Sequence, residues 1–166
     1  EMCGRDWSSD VCSSDLGRSF SAFRLLYEQS DVDRFGLGYL GTWVDGPSFD
    51  ANVHGIDLHY GKGSGLWNVD VQLMRSDKRE VSGNGAIVDV RYAPTSTYQH
   101  KFELEYFDDQ IDINDMGFLR RNNYRGTQYI FSYAFPKPSS WYRATRGTVV
   151  LRHHQNLEGE TVDSGV

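Results

Sequence analysis

Two glutamates, Glu103 and Glu105, have the spacing in this 166-residue chain that most resembles a catalytic pair. On a β-strand, residues two apart lie on the same face with a separation of roughly 6.5–7 Å. That distance is close to the separation of the two carboxyl groups in an inverting glycosidase. Asp89 and Arg91 on a neighbouring segment indicate a different interpretation, a ladder of charges on the polar face of a sheet. We favour the ladder. The sequence therefore predicts no catalytic residue, and it favours a protein that is not an enzyme.

The acidic segment near residue 110 has the composition of a calcium loop, with carboxylates and an amide at Asp108, Asp112, Asn114 and Asp115. Counting an EF-hand from Asp112 places Gly117 at position six, but Asn123 occupies position twelve, where a bidentate glutamate is required. The adjacent His153 and His154 would point to opposite faces of a strand and could not bind one metal together. The sequence therefore predicts no EF-hand, no metal site and no cofactor.

The same segment continues into a basic stretch, Arg120 and Arg121, preceded by Phe118 and Leu119. Arginine presents a planar fork that binds carboxylate or phosphate oxygens with two hydrogen bonds. One interpretation is a folded loop that presents these arginines to an anionic or polyhydroxyl solute, and the other is a solvated loop at the rim of the fold. Under the first, the predicted ligand-binding residues are Asp112, Asn114, Asp115, Arg120 and Arg121.

The elements that would position these residues show a period of two. In the segment from Trp67 to Met74, apolar residues alternate with Asn68, Asp70 and Gln72, which indicates a strand with one apolar and one polar face. The pattern recurs near residues 23–28, 36–43, 55–60, 86–92, 101–107 and 127–135, and an eighth candidate near 148–154 is ambiguous in register. The predicted polar, lumen-facing residues are Asp57, Asp70, Asp89, Arg91, Lys101, Glu103 and Glu105.

These segments predict an all-β fold, an antiparallel up-and-down meander of about eight strands. Short connections are expected to alternate with long ones, the long ones including residues 76–84 and 108–125. Strands of this length and polarity are typical of an outer-membrane β-barrel, although a soluble sandwich or lipocalin-like barrel shows the same alternation. Aromatic residues near the turns favour the membrane barrel, because Tyr and Trp concentrate at membrane interfaces; they include Trp43, Tyr60, Trp67, Tyr92, Tyr106, Trp141 and Tyr142.

Composition excludes other classes. The chain has a net charge of −6, which gives no reason to expect a nucleic-acid partner. No run of 18 apolar residues is present to form a membrane-spanning helix. Both cysteines, Cys3 and Cys12, lie in residues 1–16, a stretch that resembles a sequencing adapter translated in one frame. We therefore expect residues 1–16 to be non-structural and residues 17–166 to form a partial barrel domain within a longer protein.

The stretch from Asp112 to Tyr124, which follows an acidic strand, resembles the C-terminal region of the domain-of-unknown-function family numbered 5916. The element with Asn52, Gly55 and Asp57 is similar to a recurring element of that family with Asn, Gly and Asp in this order. Its members are bacterial envelope proteins that typically join an N-terminal family-9-like carbohydrate-binding module to a C-terminal β-barrel. The resemblance implies a bacterial outer-membrane location and transfers no catalytic residue.

Three functions remain open from the sequence. The chain could be part of an outer-membrane barrel that binds or passes a solute such as a glycan. It could instead be an outer-membrane anchor that holds a carbohydrate-binding module at the surface. The third is a soluble β domain that binds a ligand or partner. Outer-membrane lipid is the partner expected under the first two.

Overall fold

The computed structural model describes residues 17–46, 50–115, 117, 119–135, 140 and 145–165. The predicted adapter-like residues 1–16 with both cysteines, and the predicted aromatic residues Trp141 and Tyr142, lie outside this part of the chain. Within it, the protein is all-β, and the prediction of fold class is confirmed. The strands are β1 Ser19–Ser30, β2 Arg34–Asp45, β3 Ala51–Gly61, β4 Trp67–Lys78, β5 Val81–Tyr92, β6 Tyr98–Phe107, β7 Tyr124–Phe135, β8 Thr145–Gln155 and β9 Thr161–Gly165.

The nine strands form one antiparallel sheet in sequence order, β1 to β9. Each strand pairs with its sequence neighbour, and β1 and β9 are the edges, so the sheet is open. The up-and-down meander is therefore confirmed, with nine strands rather than about eight. The additional strand, β9, lies beyond the last of the eight candidate segments. It pairs with β8 through a bulge between His154 and Gln155. Because the strand is short and its pairing irregular, its sequence shows little of the alternation that predicts a strand.

The predicted alternation of short and long connections is wrong at residues 76–84. Residues 76–84 were expected to form a long loop, but β4 and β5 continue through them to a two-residue turn, Arg79–Glu80. Ser, Asp and Gly made this segment look irregular, although the polar side chains extend the strands. Asp77 accepts hydrogen bonds from Arg75 on its own strand and from Ser82 across the strand pair. The connection after β7, expected to be short at residues 136–140, lies largely outside the described residues, and the long loop, residues 108–123, is confirmed.

The backbone geometry of the turn at Arg79–Glu80 predicts that a glycine there would stabilise the protein. Both residues have positive φ, 51° and 67°, the geometry of a type I′ hairpin turn that favours Asn-Gly. A non-glycine residue in this left-handed region costs about 1–2 kcal/mol. We expect Glu80→Gly to raise the free energy of unfolding by about 1 kcal/mol, measured by denaturant titration. As a control, Ser96→Gly in the exposed 93–97 turn should give no gain, and a gain from both variants would contradict the strain argument.

The pairing register separates the side chains into two faces of opposite character. The apolar face carries the central row Tyr27, Leu37, Leu58, Val71, Val88 and Leu104. The polar face carries the next residues along each strand, among them Asp57, Asp70 and Asp89. The register of β8, ambiguous from the sequence, places Val149 and Leu151 on the apolar face, because they pair with Phe131 and Tyr129. All the apolar sets predicted from alternation thus lie on one face.

Buried apolar side chains are few in the described part of the chain: Val44, Ala51, Phe107 and Ile111. They lie toward the rim of the sheet that carries the 46–50, 79–80, 108–123 and 156–160 connections. Ile111 of the long loop is only 1% exposed. The small core therefore sits between the long loop and the polar face of the sheet, and no described residues form a second layer over the apolar face.

Candidate functional site

The long loop folds back over the polar face, and a glycine makes this approach feasible. A Cβ atom on Gly83 of β5 would overlap the backbone of Ile111 and of Gln110. On the neighbouring Gly85, a Cβ would lie 2.8 Å from Ile111 Cδ1 and 2.7 Å from Phe107 Cδ1. Two glycines in alternate positions of one strand thus form a shallow depression that the Ile111 side chain and backbone fill.

Ion pairs hold the middle of the loop to the end of β4. Lys78 Nζ lies 2.9 Å from Asp112 Oδ2 and 2.6 Å from Asp115 Oδ2. The Asp112 amide donates to the Ser76 hydroxyl at 2.9 Å, and Ser76 is 2% exposed. The hydrogen bond from Lys78 is the main cause that holds the pKa of the Asp112 carboxyl below its ordinary value. The Lys78 ammonium therefore bridges the carboxylates that the sequence had grouped as calcium-like.

Side chains of the loop also accept hydrogen bonds from backbone amides in and beside the loop. Asp108 Oδ1 accepts hydrogen bonds from the amides of Gln110 and Ile111, at 3.1 and 2.7 Å. At the other end, Asn123 has a φ of 50°, and its Oδ1 accepts from the Leu157 amide at 2.9 Å. Asn114 Oδ1 accepts from the Leu119 amide at 2.9 Å. The described residues of the loop thus form a folded element, and the contacts with Gly83 and Lys78 place it on the polar face.

The end of the docked loop and strands β6 to β9 line a cavity of about 770 Å³ that is open to solvent. The predicted Arg120 and Arg121 line it, and the loop residue Leu119 lies beside them. The sheet supplies the opposite walls and floor. The other lining residues are Glu105, Phe107, Tyr124, Gln128, Arg152, His154, Val162 and Asp163.

Aromatic rings form one wall of this cavity. Phe107 and Tyr124 pair across β6 and β7, and their rings are stacked with centroids 6.5 Å apart and planes 29° apart. The Tyr124 ring also packs against His154, with centroids 5.3 Å apart. Gly126 gives it room, since a Cβ there would lie 2.9 Å from the Tyr124 hydroxyl and 2.8 Å from His154 Cδ2. The small residue lets the tyrosine lie along its own strand.

The charges of the cavity are mostly basic. Arg152 Nε is 3.0 Å from Asp163 Oδ2, and His154 Nδ1 is 3.8 Å from the same oxygen. In the part of the chain that the structure describes, no ion pair involves Arg120 or Arg121, and both are exposed. The loop thus brings two guanidinium groups to a wall where the sheet's own cation, Arg152, already has a carboxylate partner.

The polar face away from the cavity carries charges in rows. The register aligns His59, Asp70, Asp89 and Glu103 on four successive strands. His59 Nδ1 is 2.6 Å from Asp70 Oδ1, and Glu103 contacts both Lys101 and Gln128. The next row toward the opposite rim pairs Arg91 with Lys101. Like charges therefore lie directly opposite each other, an arrangement that water has to screen.

The structure places the sequence-predicted residues in three groups. All seven predicted polar residues lie on one face, but their position in a lumen stays a prediction. Arg120 and Arg121 reach the cavity, whereas Asp112, Asn114 and Asp115 lie at the Lys78 contact, and their ligand role also stays a prediction. Sequence reasoning missed Tyr124, Gln128, Arg152, His154 and Asp163. The two-residue spacing of Arg152 and His154 indicates that both lie on one face of a strand. The sequence did not show which face, because the register of that segment was ambiguous.

Nothing in the described ranges forms a helix of the length and hydropathy needed to cross a bilayer. No curated protein and no solved structure matches the chain. A family model with the description Domain of unknown function (DUF5916) matches residues 41–165. The match includes the long loop, the Lys78 contact and every residue that lines the cavity, and it covers most of the chain. The chain therefore belongs to the DUF5916 family, as the Asp112–Tyr124 stretch had indicated.

Proposed function

We propose that this chain forms part of a bacterial outer-membrane β-barrel. Its apolar face contacts lipid, and its polar face, with the docked loop, lines an interior that binds or passes a small solute. The observation that carries the proposal is the combination of an uncovered apolar face and a charged opposite face on one sheet. Contiguous apolar surface of this extent marks a surface that another phase or partner covers.

The exposure of the apolar face supports a lipid environment. Leucines on strands across the sheet remain about half exposed, including Leu25 at 63%, Leu73 at 50% and Leu104 at 47%. In water, each such side chain would forgo about half of the roughly 1.5–3 kcal/mol that full burial is worth. A lipid phase recovers this energy without a second protein layer.

Aromatic residues lie toward both margins of the apolar face. At one margin, Trp67 and Tyr92 pack with ring centroids 4.3 Å apart. Toward the other, Trp43 packs on His54 at 5.7 Å, and Tyr39 shares a 2.6 Å hydrogen bond with His54 Nδ1. Tyr and Trp have one apolar and one polar part, so they suit the boundary between hydrocarbon and water.

The apolar band also runs obliquely across the paired rows. It covers Phe23–Tyr27 on β1 and Tyr129–Phe135 on β7. The register connects Leu25, the middle of the band on β1, to Arg125 on β7. The middle of the band on β7 lies about seven residues beyond Arg125. The band therefore shifts by about seven residues along the strands over six strand spacings. With ordinary strand dimensions, this displacement corresponds to a strand tilt of roughly 40°. Transmembrane barrels have tilts of about 35–45°, which supports a layer of uniform thickness crossed by tilted strands.

Two alternatives use fewer of these observations. A membrane anchor for a carbohydrate-binding module would need the lipid-facing surface but not the cavity with its arginines. A soluble ligand-binding domain would use the cavity but would leave the apolar face in water unless a partner covered it. The proposed function accounts for both surfaces.

Adjacent residues of one strand provide the test. In a variant with both cysteines replaced by serine, a spin label is attached at Val71→Cys or at Gln72→Cys, and the protein is folded into phosphatidylcholine vesicles. The label at position 71 should collide with oxygen dissolved in the lipid, and the label at position 72 should collide with a water-soluble nickel chelate. Reversed or equal accessibility at these positions would contradict the proposed orientation.

A further inference from the structure

We infer that the cavity beside the long loop binds an acidic sugar, a pyranose ring that carries a carboxylate. This inference rests on the proposed function, since it names the solute class that the polar face would bind. The site combines three kinds of recognition in one cavity. Each kind excludes a different class of solute.

The arginines provide the recognition of the anion. Arg120 and Arg121 line the cavity and take part in no ion pair among the described residues. A carboxylate can accept two parallel hydrogen bonds from one guanidinium, and such charge-assisted bonds are stronger than neutral ones. An anionic group is therefore expected at the loop wall, where it would not have to displace the carboxylate of Asp163 from Arg152.

The aromatic wall provides the recognition of a ring. Tyr124 is positioned by contacts with the rings of Phe107 and His154, so little side-chain freedom remains to be lost on binding. Its room above Gly126 lets the phenol lie along the strand. The less polar face of a pyranose can pack against such a ring, whereas a free inorganic anion gains nothing from it.

Polar groups around this wall distinguish a sugar from an aromatic acid. Glu105 and Gln128 line the cavity beside Tyr124. A carboxylate is an acceptor, and an amide is both donor and acceptor, so together they match the hydroxyl groups at the edge of a sugar. A flat aromatic acid would leave these groups without partners, which is costly when they lose water.

The size of the cavity agrees with this class of solute. Its volume of about 770 Å³ lies within the range of roughly 300–1,000 Å³ typical of small-molecule sites. The cavity is open, so the sugar can be free or the terminal residue of a longer glycan. Both sources share the same recognised chemistry.

Three probes separate the contributions. Binding of methyl β-D-glucuronide, methyl β-D-glucoside and inorganic phosphate is measured by titration calorimetry on the whole chain folded in detergent micelles. The glucuronide and the glucoside differ in the carboxylate, and phosphate lacks the ring. The glucuronide should bind at least about tenfold more tightly than either of the others, because it alone makes both interactions.

Matched variants locate the interaction. Arg120→Gln with Arg121→Gln should weaken glucuronide binding by about tenfold or more. Arg24→Gln with Arg34→Gln removes the same charge from the same face at the far side of the sheet and should change binding by less than about twofold. Tyr124→Leu should weaken binding of both sugars. Circular dichroism of each variant checks that the strands are retained.

The outcomes decide between the interpretations. Equal binding of glucuronide and glucoside would overturn the anionic part of the inference, and equal binding of glucuronide and phosphate would overturn the ring part. Equal losses in the two arginine pairs would overturn the location. Because binding is measured in micelles and lipid exposure by spin labels in vesicles, failure of the ligand inference and failure of the membrane proposal are separate results.

Discussion

Arginine in place of Val71 or Leu104 is expected to destabilise the protein folded in lipid vesicles by about 2–4 kcal/mol. This is the cost of a charged side chain at the bilayer midplane on the lipid face of a barrel. Both residues belong to the central row of the apolar face, on β4 and β6. Leu104 is 47% exposed, so an arginine there has space, and the expected loss comes from the surrounding phase rather than from overpacking.

The matched control for Val71→Arg is Gln72→Arg, the next residue on the same strand. Gln72 is exposed on the polar face, where it pairs with Asp57, and an arginine can reach that carboxylate. It should therefore be tolerated. Asp70 and Glu103 would serve less well as controls, because Asp70 bonds to His59 and Glu103 to Lys101 and Gln128. Folding yield in vesicles over a urea series measures each difference, and equal losses at positions 71 and 72 would show that the apolar face does not meet lipid.

Alanine at Gly83 is expected to release the long loop from the sheet. The added methyl group would overlap the backbone of Ile111 and Gln110, and backbone cannot give way as a flexible side chain can. Overpacking of this kind typically costs about 1–3 kcal/mol. The loop can avoid it by lifting away, which exposes Ile111 and separates Lys78 from Asp112 and Asp115.

Gly55→Ala provides the control for this prediction. Gly55 lies on the polar face of β3, and its nearest neighbours would be backbone oxygens of Leu40 and Leu73 at 3.9 Å. An ordinary contact distance leaves the added methyl group unstrained. Hydrogen exchange of the amides in residues 108–123 should rise in Gly83→Ala and stay at the parent level in Gly55→Ala. Protected amides in both variants would contradict the docking described for the parent chain.

Release of the loop should also separate the functional contributions. Arg120 and Arg121 would leave the cavity wall, whereas Phe107, Tyr124 and Arg152 belong to the sheet and would stay. Gly83→Ala should therefore weaken glucuronide binding while β-strand content by circular dichroism is retained. A variant that binds as the parent does would show that the loop is not part of the ligand site.

The sequence by itself determined eight of the nine strands and the two faces of seven of them. Leu58, Val71 and Leu104 could be assigned to one face before any pairing was known, because side chains alternate strictly along an extended chain. Neighbouring strands then align like faces, so local alternation becomes a property of the whole sheet. The Asp112–Tyr124 stretch similarly identified the family.

Only the tertiary structure decided the register, the connections and the cavity. The turn at Arg79–Glu80 requires a left-handed backbone conformation, which arginine and glutamate do not indicate. The segment was therefore mistaken for a long loop. Gly83 accommodates Ile111 from 28 positions along the chain, and Arg152 meets Arg121 in one cavity through the pairing of β7 with β8 and the return of the long loop. Such contacts depend on which strands are neighbours and how far each is shifted, and alternation is unchanged by a shift of two residues.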